Sequence, residues 1–151
     1  LPTGNRTINN PIDWNNYISV LLSNSGPITY TGNGKKKKAV YPNKAYYKVD
    51  GDSNFDFDKD QKSIKHSILH EGSLEITADT KFQDFDEEAL IVIGDLTINN
   101  TDTKDLALKG TFVVTGNLEF KGNDIEFEKC TFLVLGKTTF NFNIGEGFQS
   151  I

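Results

Sequence analysis

This 151-residue sequence has no methionine, one cysteine, no long apolar run and no excess of positive charge. The single cysteine, Cys130, excludes an internal disulfide. No apolar run is long enough to span a bilayer, so membrane attachment would depend on a segment outside this sequence. The net charge of −5 argues against a nucleic-acid binder, which needs a basic face for phosphates. Because the sequence has no methionine, we expect Leu1 to follow an N-terminal part that has been removed.

A repeat runs through the C-terminal two thirds of the sequence. Its markers are glycines spaced 20 to 22 residues apart, namely Gly51, Gly72, Gly94, Gly116 and Gly136. Of the twenty positions that lie two and four residues to either side of these glycines, all but His70, Ser53 and Thr138 carry large apolar residues, which is the period-2 pattern of β-strands. The columns before the glycines are Tyr47, Ile68, Leu90, Phe112, Phe132 and Val49, His70, Val92, Val114, Val134. The columns after them are Ser53, Leu74, Leu96, Leu118, Thr138 and Phe55, Ile76, Ile98, Phe120, Phe140.

This repeat predicts an all-β fold, a parallel β-helix (β-solenoid) with coils of about 22 residues. Stacked coils place equivalent residues above one another and bury a continuous apolar bore. A glycine that recurs between two short strands indicates a bend or a close backbone approach. Leu106 with Leu108, and Ile125 with Phe127, indicate a further strand in each coil. The alternative is an antiparallel β-sandwich in which the spacing is a coincidence.

The first 26 residues predict an N-terminal capping α-helix. Asn10 and Pro11 fit the N-cap and the first helical position, and Asp13 then falls in the first turn. The apolar face consists of Ile12, Trp14, Tyr17, Ile18, Leu21 and Leu22. Because a solenoid must cover its open ends, we expect this helix to pack over the first coil. Residues 1–26 are therefore assigned to a helical cap and residues 27–151 to the solenoid, together one domain.

The sharpest chemical pattern is the alternating acidic run DGDSNFDFDKDQ. Its candidate metal ligands are Asp50, Asp52, Asn54, Asp56 and Asp58. Oxygen ligands at alternate positions favour calcium, and the D-x-D-x-N order resembles the start of an EF-hand loop. The run departs from that loop at Phe55, in place of the turn glycine, and at Gln61, in place of the bidentate glutamate. The alternative is a solvated row of carboxylates without a metal, and no other cofactor is predicted.

Three further features each have a functional and a structural interpretation. His66, His70 and Glu71 suggest zinc, whereas the repeat places His70 in an inward column as a hydrogen-bonded core histidine. The four lysines 35–38 suggest contact with an anionic polymer, or else a solvated loop or protected edge strand. Cys130 aligns with a glycine of the preceding coil, which favours a structural thiol over a nucleophile.

The runs IVIGDLTINN, GTFVVTGNLEFKGN and CTFLVLGKTTFNFN resemble strands of two groups of bacterial proteins. One group is the pilus-assembly-like surface proteins of Gram-positive bacteria, anchored chains whose β-helical ectodomains repeat V-x-G-x-L-x-I. The other is the bactofilins, which are polymer-forming β-solenoids. The resemblance spans about residues 68–140 and brings no functional residues with it.

The resemblance to surface ectodomains implies a non-catalytic extracellular or cell-surface β-helical domain with a structural or adhesive role. Such a domain would belong to a larger anchored bacterial protein and bind a protein or a surface glycan, with Tyr46, Tyr47 and the acidic run as candidate contacts. The second hypothesis is a bactofilin-like polymer-forming cytoskeletal scaffold. The third is a carbohydrate-active β-helix enzyme. Its carboxylates would come from the acidic run beside Lys48 or from Asp84, Asp86, Glu87 and Glu88.

Overall fold

The computed structural model describes residues 13–50, 66–77, 85–100 and 105–141. In chain order its elements are α1 (Trp14–Ser23), β1 (Ser25–Pro27), β2 (Thr29–Thr31), a 3-10 turn (Gly34–Lys36), β3 (Lys38–Val40), β4 (Tyr46–Asp50), β5 (Ile68–Glu71), β6 (Leu74–Thr77), β7 (Phe85–Ile93), β8 (Leu96–Asn100), β9 (Leu106–Val114), β10 (Leu118–Gly122), β11 (Ile125–Val134) and β12 (Thr138–Asn141). Within these described ranges, no helix is long and apolar enough to cross a membrane.

The strands form two parallel sheets and one small antiparallel hairpin. The orders are β1-β4-β5-β7-β9-β11, β12-β10-β8-β6 and, for the hairpin, β2-β3. Tyr47 pairs with Ile68, Ile68 with Leu90, Leu90 with Phe112 and Phe112 with Phe132, offsets of 21, 22, 22 and 20 residues. Neighbouring strands in each parallel sheet therefore come from successive coils. The predicted β-solenoid with coils of about 22 residues is confirmed, and an antiparallel sandwich is excluded.

The predicted columns line one continuous core. Leu74, Leu96, Leu118 and Thr138 are in register across the smaller sheet. The fully buried members of the bore include Ile68, Leu90, Leu96, Ile98, Phe112 and Leu118. Stacked rings continue the columns into the last coils, with Phe112 4.8 Å from Phe132 and Phe120 5.2 Å from Phe140 between centroids. Since each apolar residue is covered by its counterparts in adjacent coils, no single coil has a core of its own.

The predicted further strand is the first half of a long bent strand. Leu106 pairs with Ile125 and Leu108 with Phe127, and both strands then continue into the inward columns already described. The bend lies at Gly110, with φ +116°, and at Lys129, an extra residue with φ +50°. Because β9 and β11 bend in this way, each supplies two sides of its coil, and the smaller sheet supplies the third. Within the last coils the rings of Phe120, Phe127 and Phe132 accordingly meet edge to face, with centroids 5.3 to 6.0 Å apart.

The glycine column lies at the corner between the two parallel sheets, where neighbouring coils touch backbone to backbone. The amide of Gly116 donates to the carbonyl of Gly94 at 2.8 Å, and that of Gly136 donates to the carbonyl of Gly116 at 3.0 Å. A Cβ on Gly94 would lie 2.8 Å from the backbone nitrogen of Ser73. The expected close approach is confirmed at Gly94, Gly116 and Gly136, whereas at Gly72 nothing lies within 4 Å of an added Cβ and the positive φ of +104° is what favours glycine.

The N-terminal helix begins later than the sequence indicated and packs on a different surface. Asp13 is the N-cap, since its carboxylate accepts from the amide of Asn16 at 3.1 Å, so the helix begins at Trp14 and Asp13 is not in its first turn as predicted. Leu21 is buried against the outward-facing column of the larger sheet, which consists of Leu69, Ile91 and Val113. The helix therefore covers the outer side of that sheet, whereas we expected it over the end of the first coil. The physical reason is that this outer column is apolar and must itself be removed from water.

Candidate functional site

The predicted calcium ligands fall almost entirely outside the described residues. Asp52, Asn54, Asp56 and Asp58 lie in the undescribed segment 51–65, and Asp50 is described only as the last residue of β4. The calcium site therefore stays a prediction. In the parts of the chain that the structure describes, no group of three or more His, Cys, Asp or Glu side chains lies together in a manner that suits a metal ion.

The structure separates His66, His70 and Glu71 into three environments. His70 is only 4% exposed, and its Nδ1 lies 2.9 Å from the carbonyl oxygen of Gly72, so the proton is assigned to Nδ1. Glu71 lies on the opposite face of β5, with its carboxylate 3.3 Å from the Nζ of Lys48. The His66 ring stacks on Tyr47 with centroids 3.9 Å apart. The interpretation of His70 as a hydrogen-bonded core histidine is confirmed, and these three residues do not form a zinc site.

The thiol of Cys130 is part of the contact between two coils. Cys130 pairs with Gly110 of the preceding coil, as the alignment of the repeat predicted. Its Sγ donates to the carbonyl oxygen of Leu108 at 2.9 Å, and the residue is half-buried. In this contact the thiol acts as a hydrogen-bond donor that joins two coils. The contacts agree with the structural interpretation.

A row of hydrogen-bond acceptors follows the glycine column, and the sequence interpretation missed it. We call the acceptors Ser73, Asp95 and Asn117 the acceptor ladder, and it ends at Lys137, which only donates. The Ser73 hydroxyl accepts from the amide of Asp95 at 3.2 Å, and the Asp95 carboxylate accepts from the amide of Asn117 at 2.8 Å. The Asn117 side chain accepts from the amide of Lys137 at 2.9 Å. The signal was present in the sequence, since the residue directly after the glycine carries an acceptor in each coil from Asp52 to Asn117.

The lysine run lies in the β2–β3 hairpin. Lys35 and Lys36 belong to the 3-10 turn, and Lys38 begins β3 opposite Thr31. Lys37 places its Nζ 4.4 Å from the ring centroid of Tyr30, a cation–π contact. All four lysines are exposed. The expected solvated loop and edge strand therefore describe their positions well, and they form the most basic surface among the described residues.

The other candidate contact residues are largely engaged in packing. Tyr46 packs against the outer cluster beneath α1, and Tyr47 packs against the bore. The Tyr47 ring also stacks on Tyr41, which is 39% exposed, with centroids 5.2 Å apart. Of the acidic patch, Asp84 lies outside the described residues and only the side chain of Glu88 is described, accepting from the Ser67 hydroxyl at 3.1 Å.

Comparisons with known proteins identify no relative of this chain. No family model matches the chain, and neither a curated protein nor a solved structure shows significant similarity to it. The class of protein is thus defined by the coordinates alone, as a parallel β-solenoid with one N-terminal helix. Its function has to be argued from its own side chains.

Proposed function

We propose that this chain is a non-catalytic β-helical domain that serves as a rigid structural and partner-binding module at the cell surface or outside the cell. It would be carried by a larger anchored bacterial protein, with a protein or a surface glycan as its partner. The observation that carries this proposal is that polar side chains hydrogen-bond to the backbone of the adjacent coil and so join successive coils.

The hydrogen bonds between coils involve several independent columns. Besides the acceptor ladder, the Ser67 hydroxyl accepts from the amide of Ala89 at 3.1 Å, and the Thr115 hydroxyl accepts from the amide of Gly94 at 3.0 Å. The buried Asn100 amide donates to the carbonyl oxygen of Asn123 at 2.8 Å. Each such bond contributes on the order of 1 kcal/mol and fixes the spacing of adjacent coils. A rod fixed in this way holds its outer loops in constant relative positions, as a module that presents binding surfaces requires.

The edges of the described sheets support a self-contained module over the bactofilin-like scaffold. The edge strand β1 is three residues long and ends at Pro27, which has no N–H to offer another strand. At the other edge, β11 has its bulge at Lys129. The acceptor ladder ends at Lys137, whose side chain cannot accept the next amide. Short strands, proline, bulges and lysine are the features by which sheets avoid edge-to-edge association.

The described carboxylates also favour a structural role over a carbohydrate-active enzyme. Glycoside hydrolysis needs two carboxyl groups facing one bond. Among the described carboxylates, Glu71 contacts Lys48, Glu88 accepts from Ser67, and Asp95 belongs to the acceptor ladder. These three carboxylates stand in separate structural contacts of the coils and do not face one another as a pair.

The first test is protease accessibility of the full-length protein on intact native cells. Trypsin should cut at the exposed lysine hairpin, so a variant with Lys35, Lys36, Lys37 and Lys38 changed to glutamine provides the matched control for that cut. A cytosolic marker protein reports any lysis. Cleavage from outside supports the surface module. Complete protection that is lost only on lysis contradicts it, and sedimentation velocity would then test for the filaments of the scaffold hypothesis.

A further inference from the structure

Charge is strongly segregated along this chain. Residues 14–49 contain six lysines and no aspartate or glutamate, whereas residues 50–151 contain nine lysines and twenty acidic residues, a net charge of −11. Four of these six lysines, residues 35–38, lie in the β2–β3 hairpin, which connects the first two strands of the larger sheet, β1 and β4. The chain is therefore acidic overall but has one basic end, and that end needs an explanation of its own.

The hairpin presents one exposed face that carries two hydroxyls, one cation and one apolar side chain. We call residues 29–40 the lysine ribbon. Thr29 pairs with Val40 and Thr31 with Lys38, and all four are exposed on the same side of the ribbon. The other side carries Tyr30, which is half-buried beneath the Lys37 ammonium.

The turn adds two further cations at the tip of the ribbon. Lys35 and Lys36 are exposed, and among the described residues neither they nor Lys38 pair with a carboxylate. Among the described residues, three cations without a carboxylate partner therefore lie on the ribbon, Lys38 beside the two hydroxyls and Lys35 and Lys36 in the turn. A face of this kind complements a polymer that carries anionic groups at intervals and hydroxyls between them.

We propose that the lysine ribbon binds an acidic glycan, a polymer of hydroxylated units with repeated carboxylate or phosphate groups. This inference rests on the proposed surface location and names the class of partner. A membrane fits less well, because Val40 is the only apolar residue on the exposed side of the ribbon and offers little area for insertion. Nucleic acid also fits less well, because Tyr30 lies under Lys37 and gives no free ring on which bases stack.

The experiment measures binding of the purified chain to immobilised polymers at low and high salt. The probes are polygalacturonate for carboxylate, poly(glycerol phosphate) for phosphate, neutral dextran, anionic phospholipid vesicles and duplex DNA. The test variant changes Lys35, Lys36 and Lys38 to glutamine. The control variant changes Lys121, Lys129 and Lys137 to glutamine, which removes the same charge from the opposite end of the described solenoid.

We expect binding to one or both acidic polymers, with none to dextran. The test variant should bind about tenfold or more weakly, the control variant less than about twofold more weakly, and 1 M salt should abolish binding because it screens exposed charges. The preferred polymer identifies carboxylate or phosphate as the recognised group. Equal loss in both variants, tighter binding to vesicles or DNA, or no binding to either acidic polymer would overturn the inference. None of these results decides cellular location, which the protease assay measures separately.

Discussion

Replacing Gly116 with alanine places a methyl group between two coils that are joined backbone to backbone. The new Cβ would collide with the Asp95 carboxylate and would lie 2.7 Å from the carbonyl oxygen of Gly94 and 2.8 Å from its carbon. Ordinary contact begins at 3.4 Å, so the coils would have to separate by about 0.7 Å at this corner. The bond from the amide of Gly116 to Gly94, now 2.8 Å, would then stretch to about 3.5 Å and be lost as an effective hydrogen bond.

The expected loss of stability follows from three contributions. Overpacking costs about 1 to 3 kcal/mol, and the lost hydrogen bond costs about 1 kcal/mol. The reduced backbone freedom of alanine in the unfolded chain offsets about 0.5 to 1 kcal/mol. We therefore expect Gly116→Ala to lower the free energy of unfolding by about 2 kcal/mol, which corresponds to a Tm lower by about 4 to 8 °C for a chain of this size.

Urea unfolding followed by far-ultraviolet circular dichroism measures this change, and a size series separates the mechanism from general strain. Gly34 provides the matched control, because a Cβ there meets nothing within 4 Å although its φ is +57°. Gly34→Ala and Gly34→Leu should cost similar amounts, about 1 kcal/mol each. Gly116→Leu should cost much more than Gly116→Ala. If leucine and alanine at Gly116 are equally tolerated, close packing of the coils is not the reason for the glycine column.

Three further predictions concern other contacts of the coils. Asn117→Ala should lower the unfolding free energy by about 1 to 2 kcal/mol in urea titrations, because the amide of Lys137 loses its acceptor, whereas Asn117→Asp should be nearly neutral. Equal effects of the two changes would show that the acceptor ladder is unimportant. Leu21→Ala should cost about 2 to 4 kcal/mol by thermal unfolding, because the side chain is 4% exposed against the outer column, and a loss below 1 kcal/mol would contradict that packing. Cys130 should react slowly with a thiol reagent in the native protein and rapidly in urea, and equal rates would contradict its hydrogen bond to Leu108.

The sequence alone was sufficient for the coil and its columns. Side-chain alternation in a strand is a local property, so residues two apart face the same way whatever the rest of the fold does. Repeating that pattern at a nearly fixed interval leaves few arrangements that bury all the columns, and stacking of coils is the simplest of them. The register of Ile68 with Leu90 and of Leu96 with Leu118 is the direct result. The glycine was recognisable for the same reason, because a side-chain-free residue recurred at one phase of the strands.

The sequence also contains two patterns that indicate the surroundings of the strands. The outer positions Leu69, Ile91 and Val113 are apolar as well, which makes these strands continuous apolar runs and indicates burial on both faces. The acceptors that follow the glycines, such as Asp95 and Asn117, were also visible in the repeat. Both patterns depend on what surrounds a strand. They identify a packing surface or a hydrogen-bond partner only when the neighbouring strands and helices are known.

Only the tertiary structure decided where the helix lies and what the polar residues do. The sequence of an amphipathic helix shows that one face is apolar. Whether that face packs on the end or on the outer side of a solenoid depends on which of these surfaces exposes more apolar area. In the same way, whether His70 or Cys130 is a ligand, a nucleophile or a core group depends on what stands opposite it in the next coil. The period of the apolar repeat in the sequence determined the coil. The environment of each side chain was determined by contacts between coils, which join residues that are distant in sequence.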